Sequence, residues 1–478
     1  MKPRLFILFV LLLCSLFTLR AWGGERIVRD FQPGLPQGGE VLKQVPVKGL
    51  VAEFIDPQTT GLGKSLGYLL WREALTAVHD QRGAGIIYAH TTGDEPLTHL
   101  LRQDYHLAAL EIAQEQKTRM VLWGAVGEEG GMVYIDSYLT LLPALIGESL
   151  SLTLKVNGKP LPGLATEIGS SRYSFAPIKR TRQQLFQRAL VTRARTRLRQ
   201  RPATDAPIIK RVSANTPLQA IDMRGSWFEI ALTNETSAWV EIGQVDLPPR
   251  QVHAQRSRIN IRLGPGKDTP ALRKVDLNGD YRVLDRRHVP GKGVWYRLQF
   301  EWGSGWVAAW LVQPRFTLPA IQFMAGLQRY QLRNYQEAGN AFQRFIGEAG
   351  DRESNVNLAA AHALLGASLL MEDARSRAAY KAVEQAVNLT PYDPVVYNLN
   401  AVASLATQRP ADQMVEIIHH ALQLDPRNRR TLNLLDSLSN LAEMKLPEYQ
   451  PLLHSFRLGS EGRVRLEKLR QTYLKSNP

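Results

Sequence analysis

Five arginines alternate with other residues late in the first half of the chain. Arg193, Arg195, Arg197, Arg199 and Arg201 are separated by Ala194, Thr196, Leu198 and Gln200. On a strand, a period of two puts all five guanidiniums on one face. Stacked like charges repel unless water or an anion relieves them. The stripe therefore reads either as a solvated strand that protects a sheet edge or as a docking face for carboxylates or phosphates, which arginine grips bidentately. A second candidate ligand set is Arg262, Trp295, Tyr296 and Trp306. Trp and Tyr favour places where an apolar face meets a polar partner, although most aromatics in this region read as core.

Other reactive-looking motifs fail on spacing. Gly61-Leu62-Gly63-Lys64-Ser65 is like a phosphate-cradling loop, but Gln58 stands where that loop needs its first glycine. A plain helix N-terminus is expected there. No His-Glu-x-x-His and no Gly-x-Ser-x-Gly elbow occurs. His419 and His420 are adjacent, so on a helix they point to different faces, whereas a metal pair needs an i, i+4 spacing. Glu128 and Glu129 lie beside Gly130-Gly131 and read as solvated turn residues. The chain is read as non-enzymatic, with no catalytic residue, cofactor or metal.

The elements around these residues follow from composition. With 478 residues and 44% apolar content, the chain has material for about three domains. Residues 172–315 hold 26 of the 59 basic and 11 of the 44 acidic side chains, so they carry the whole formal excess of +15. Such a concentrated field attracts anionic partners. The N-terminus has Lys2 and Arg4, an apolar run from Leu5 to Leu19, and Ala21-Trp22-Gly23. Residues 1–23 read as a cleavable export signal that directs the chain to the periplasm; an uncleaved membrane anchor is the rival. The one cysteine, Cys14, lies inside that run, with Leu13 where a lipid-attachment motif expects a small residue. A cleaved chain would hold no thiol and form no disulfide.

After a linker at 24–47, Val47–Ile55, Gly85–Ala89 and Arg119–Val126 read as strands. Leu62–Val78 and the run from Tyr105 to Ala113 read as helices, and Glu128–Gly131 turns into a hairpin strand, Met132–Leu142. That order describes a mixed α/β domain over 48–160. Its strand Gly49-Leu50-Val51-Ala52-Glu53-Phe54, the helix after Gly61 and Val121-Leu122-Trp123-Gly124 resemble the N-terminal domain of the TolB family and the related FlgO and CsgG proteins. The resemblance implies a non-enzymatic part of an envelope assembly.

A connecting segment, 161–189, leads to two rough copies of one pattern. The first runs Leu198-Arg199, Pro202, Trp227-Phe228, Trp239-Val240; the second runs Ile261-Arg262, Pro265, Trp295-Tyr296, Trp306-Val307. Short strands around aromatic plugs build small β-barrels, here at 190–248 and 249–316. Both resemble bacterial SH3 domains, a family whose members recognise cell-wall peptides or envelope proteins. The second copy matches better. The first departs at Gln200-Arg201 and Thr236-Ser237-Ala238.

In the last third, Ala386-x-x-Leu389-x-Pro391-x-Asp393 recurs 35 residues on as Ala421-x-x-Leu424-x-Pro426-x-Asn428. This looks like a tetratricopeptide array of about three units over 318–445, each closed by proline, with 446–478 as a helical cap or tail. Such an array would hold a protein or peptide in its concave surface.

The expected architecture is multidomain α+β: a TolB-like α/β domain, two SH3-like barrels and a C-terminal helical solenoid. The expected function is a non-enzymatic periplasmic scaffold that binds envelope proteins or peptides, with peptidoglycan as an anionic candidate. The alternatives are a structural subunit of a flagellar, pilus or secretion apparatus, and a targeting module for a wall hydrolase. Peripheral membrane association and oligomer formation are compatible with this pattern. Nucleic acid suits a basic face but not an exported chain.

Overall fold

Apolar runs without alternation need cover on both faces, and three of them make the middle of the first sheet. The computed structural model describes residues 27–30, 45–78, 83–91, 105–142, 150–156, 159–233, 235–373, 376–443 and 458–474. Residues 1–23, read above as an export signal and including Cys14, most of the linker at 24–47, and residues 444–457 lie outside these. The order begins β1 (Ile27–Asp30), β2 (Val47–Ala52), helix α1 (Leu62–Ala77), β3 (Ala84–Thr91), α2 (Tyr105–Glu115), β4 (Met120–Glu129) and β5 (Met132–Leu141). The chain then forms a separate hairpin, β6 (Ser151–Val156) and β7 (Lys159–Glu167), and returns as β8 (Arg172–Thr181). The sheet order is β1-β3-β2-β4-β5-β8. β3-β2-β4 are parallel, and the other neighbours pair antiparallel. The expected mixed α/β sheet is present and is wider than read. Its two edge strands come from segments 24–47 and 161–189, which the residue pattern presents as linker and connection.

The glycine-rich run is explained by packing. Gly61 has φ +75°, and a Cβ on Gly63 would lie 2.0 Å from the Phe54 carbonyl oxygen. Glycine is needed for the turn and for the close approach. Asp56 Oδ2 accepts the Leu62 N–H at 2.9 Å and the Gly63 N–H at 3.4 Å. A carboxylate of the chain itself thus sits where an anion would meet the helix N-terminus.

A short helix, α3 (Arg182–Phe186), leads into the first barrel, made of β9 (Arg188–Thr192), β10 (Thr196–Arg199), β11 (Ile208–Val212), β12 (Pro217–Arg224), β13 (Trp227–Ala231), β14 (Ser237–Glu241) and β15 (Val245–Asp246). They pair in the order β11-β10-β14-β13-β12-β9-β15. The second barrel is β16 (Gln251–Arg262), β17 (Ala271–Val289), β18 (Gly293–Phe300), β19 (Gly303–Ala308) and β20 (Gln313–Arg315). β16 pairs with both β17 and β19, which closes the ring. Its interior holds Val252, Ile261, Leu277, Leu298 and Val307.

Seven helices follow: α4 (Pro319–Gln331), α5 (Tyr335–Ala349), α6 (Asn355–Glu372), α7 (Arg377–Leu389), α8 (Pro394–Ala406), α9 (Ala411–Leu424) and α10 (Arg429–Glu443). Each packs on the next, giving the expected solenoid. Side chains of Asn334, Ser354, Ser376 and Asp393 cap successive helices. A last helix, α11 (Ser460–Leu469), packs against α9 and α10.

Helix α1 is the hub of the molecule, with 14 of its 16 residues buried. Its Ser65 hydroxyl accepts from the Gly225 N–H of the first barrel at 2.8 Å, and its Arg72 donates to the Val245 carbonyl at 3.2 Å. Glu73 does most. Its Oε1 meets Arg188 Nη2 of β9 at 3.0 Å and the Thr317 hydroxyl at 2.8 Å, while Oε2 accepts the Thr317 N–H at 2.7 Å. Arg329 of α4 closes the other end by donating to the Ala77 carbonyl at 2.7 Å. One carboxylate therefore ties the α/β domain to the first barrel and to the entry of the solenoid. Arg188 is 2% exposed and Glu73 5%.

The inner face of the solenoid is occupied, which corrects the expectation of an open concave groove. Alternate helices face the α/β domain: α4 meets α1, β2 and β5, α6 meets β8, α8 meets the β6–β7 hairpin, and α10 meets β7. Asn357 at the start of α6 donates to the Ser174 carbonyl at 2.7 Å, and Glu353 accepts from the Ala176 N–H. The array wraps around the chain's own sheet. Removing one partner of a buried ion pair strands the other charge and costs about 3–5 kcal/mol. Glu73→Ala is expected to lose stability on that scale in urea unfolding, and Glu73→Gln, which keeps the Thr317 bonds, to lose less. Equal and small losses would deny the pair its role.

Candidate functional site

The five alternating arginines do not share one strand face, because the chain bends at residues 193–195 before β10 begins. Only Arg197 and Arg199 lie on β10, with Thr196 and Leu198 turned inward. Arg193 Nε pairs with Asp246 Oδ1 at 2.8 Å, and Arg201 pairs with Asp205 at 3.0 Å. Arg195 and Arg197 are exposed. The continuous stripe is thus replaced by a cross-strand cluster. In the β10–β11 register, Arg197 sits opposite Arg211 and Leu198 opposite Lys210. β11 is the sheet edge, and its Ile208 and Ile209 are 37% and 49% exposed. Opposed like charges cost about 0.2–1 kcal/mol on a sheet; an anion across the pair offsets that.

The duplicated Leu/Ile-Arg pair turns out to be a loop brace. Arg199 donates to the Ala206 carbonyl and Arg262 to the Thr269 carbonyl, each seven residues on and at 2.5 Å. Each also sits opposite the second Trp of its copy, Trp239 or Trp306. Arg262 therefore holds its own loop. Trp295 and Trp306 are 3% and 8% exposed and pack together with Ala308. Arg262, Trp295 and Trp306 thus each make structural contacts within the second barrel.

Arg193 and Tyr296 lead elsewhere. They line a cleft of about 1160 Å³ where α1, both barrels and helices α4 and α5 converge. Seven arginines line it against three carboxylates, Asp246, Glu337 and Glu348. Asp246 is shared: Arg193 takes one oxygen and Arg286 of the second barrel takes the other at 3.2 Å. Arg72, 6% exposed, stands beside this group. Burial, then the like charges of Arg193 and Arg286, pull its guanidinium down to about 9, against the pull of Asp246. At the array side, Arg315 bonds Glu348 at 3.0 Å and Asp280 at 3.1 Å. Burial still outweighs Arg315 and pushes the Glu348 carboxyl up to about 7. Tyr296 is also raised by burial, with Arg286 opposing.

Neither Arg72 nor Asp246 stood out as a site residue from spacing. The available signal was a charged pair, Arg72-Glu73, inside an otherwise apolar helical period. Elsewhere, His420 packs on Tyr397 at 4.7 Å between ring centres. Among the described residues no three or more His, Cys, Asp or Glu side chains gather in a way that could hold a metal ion, and no helix is long and apolar enough to cross a membrane.

A family profile, that of the bacterial SH3 domain, matches residues 194–244. This is the first barrel, the copy with the departures at Gln200-Arg201 and Thr236-Ser237-Ala238. Among solved structures, the chain is similar to NlpC1 from Trichomonas vaginalis, at 12% identity and a TM-score of 0.15 over 27% of this chain and 46% of that one. It is similar to MamA (residues 41 to end) from Desulfovibrio magneticus RS-1, at 18% identity and a TM-score of 0.23 over 32% of this chain and 77% of that one. The chain thus spans less than half of NlpC1, and at these scores neither likeness carries a functional argument. No curated protein matches the chain.

Glu348 gives the cleft a pH dependence. A carboxyl at about 7 when folded and 4.5 when free holds its proton in the native state across that interval. The unfolded chain releases it there, so this contribution to stability is full below pH 4.5 and is lost as pH rises through 7. The thermal midpoint is expected to fall from pH 5 to pH 8, and Glu348→Gln to flatten the fall. Parallel curves for the two proteins would reject the assignment.

Proposed function

We propose that this protein is a non-enzymatic scaffold of the cell envelope, exported to the periplasm, whose bacterial SH3 domain docks acidic cell-wall material through the β10–β11 face. The observation that carries the reading is the opposed pair Arg197 and Arg211 at an open sheet edge. Arg195 is exposed just before β10, and Ile208, Ile209 and Lys210 are exposed along the same edge strand. Guanidiniums held opposite each other without a carboxylate suit a polyanionic surface. The nearby apolar side chains supply contact area that does not depend on charge.

In this reading the second barrel is a further SH3-like module, and the α/β unit is a TolB-like domain of the kind that builds envelope assemblies. The solenoid contributes by clasping that domain, so protein partners meet the outer surfaces of the array. Cosedimentation with purified peptidoglycan sacculi tests the wall-binding claim. Retention is expected to drop steeply between low and high salt, and by about a hundredfold or more in Arg197→Glu/Arg211→Glu, given about 1.5–3 kcal/mol for each of the two lost charge-assisted bonds. Sacculi should stay intact in a muropeptide-release assay. Salt-insensitive retention, or retention unchanged in the double variant, defeats the reading.

A further inference from the structure

The cleft between the barrels and helix α1 contains an unbalanced charge cluster. Arg72, Arg193 and Arg286 come from three different modules; Arg193 and Arg286 pair with one carboxylate, Asp246, and Arg72 stands close beside them. Both oxygens of Asp246 are taken, Oδ1 by Arg193 and Oδ2 by Arg286. Arg72 donates instead to the Val245 carbonyl. Three guanidiniums against one carboxylate leave a local surplus of two positive charges, with Arg72 buried and Arg193 and Arg286 each 28% exposed. Folding assembles this surplus, because Arg72 and Arg193 are 121 positions apart in the sequence and Arg193 and Arg286 are 93 apart.

We infer that the cleft is a binding site for a phosphate-bearing ligand, held by Arg72, Arg193 and Arg286 with Tyr296 beside them. The geometry favours a phosphate group over a second carboxylate. A carboxylate offers two oxygens in one plane, and Asp246 already supplies that. A tetrahedral phosphate presents additional oxygens in several directions, so it can serve Arg72 while also reaching Arg193 and Arg286. A dianion also brings the cluster to neutrality, which offsets the like-charge repulsion that adds to burial in lowering Arg72. The volume, about 1160 Å³, accommodates far more than one phosphate group, so the rest of the ligand extends past Tyr296 toward Trp310, which is 69% exposed on the cleft lining. Arg72 is too enclosed for a flat layer of lipid headgroups to reach, which points to a soluble phosphate compound. The site is separate from the β10–β11 face and does not depend on wall binding.

Pyrophosphate serves as the probe, with binding measured by calorimetry on the full chain at constant ionic strength. The expected result is saturable binding that Arg286→Gln weakens about tenfold or more, the scale of one charge-assisted bond, and that Arg197→Glu/Arg211→Glu leaves intact. Asp246→Asn, which removes the internal competitor, is expected to tighten pyrophosphate binding, a gain that a purely structural carboxylate would not produce. Vesicles of phosphatidylglycerol form a second arm. No vesicle binding supports a soluble ligand, and vesicle binding competed by pyrophosphate assigns the phosphate to a headgroup in the same cleft. The proposal is overturned if pyrophosphate does not bind the folded protein, or if Arg286→Gln and the unaltered chain bind it equally.

Discussion

Glu73 is the group on which the arrangement of the modules depends. Its carboxylate is buried on helix α1 and accepts from Arg188 of the first barrel and from both the N–H and the hydroxyl of Thr317 at the entry of the solenoid. A buried ion pair is weak evidence for net stability, since desolvation offsets much of the attraction. What it supplies is a demand for one geometry: if either neighbouring module shifts, a charge is left in the interior without a partner. Arg188 makes the demand stricter, because its Nε and Nη1 have no hydrogen-bond partner and the Glu73 contact carries most of its compensation.

This constraint decides which surfaces are available for function. With α1 as hub, α4 lies against β2 and β5, and the later helices close over β8 and the β6–β7 hairpin. The inner face of the solenoid is therefore used for holding the chain together. Two basic features stay open: the outer edge of the first barrel, with Arg197 opposite Arg211, and the cleft where Arg193 and Arg286 share Asp246 beside Arg72. The two basic features differ in kind. The edge lies on one module, whereas the cleft is built from residues that only the assembled modules bring together.

The sequence was most legible where one local pattern determines one element. The apolar runs at Leu50 and Val121, the period through Leu66, Leu69 and Leu70, and the 35-residue offset in the last third all became the elements they describe. The duplicated Leu/Ile-Arg and Trp pairs marked two barrels correctly. Their physical reason, an arginine bracing a loop carbonyl seven residues on, is a tertiary geometry that spacing does not encode. The arginine alternation misled for a related reason: period two has meaning only if the backbone stays extended, and here it bends through residues 193–195. Edge strand β8 was also out of reach, because it pairs with β5 across the intervening β6–β7 hairpin, and so was the occupied solenoid face, which depends on contacts between segments more than a hundred residues apart.

The distribution of tryptophan offers a direct test of coupling. All nine tryptophans lie at or before position 310, whereas seven of the long helices lie beyond residue 318. Tryptophan fluorescence therefore reports on the sheet-bearing modules, and the far-ultraviolet helix signal is dominated by the solenoid. If the Glu73 hub couples them, thermal unfolding followed by the two signals on one sample gives coincident transitions. Separate midpoints, with the helical signal lost while fluorescence stays native, would contradict the account.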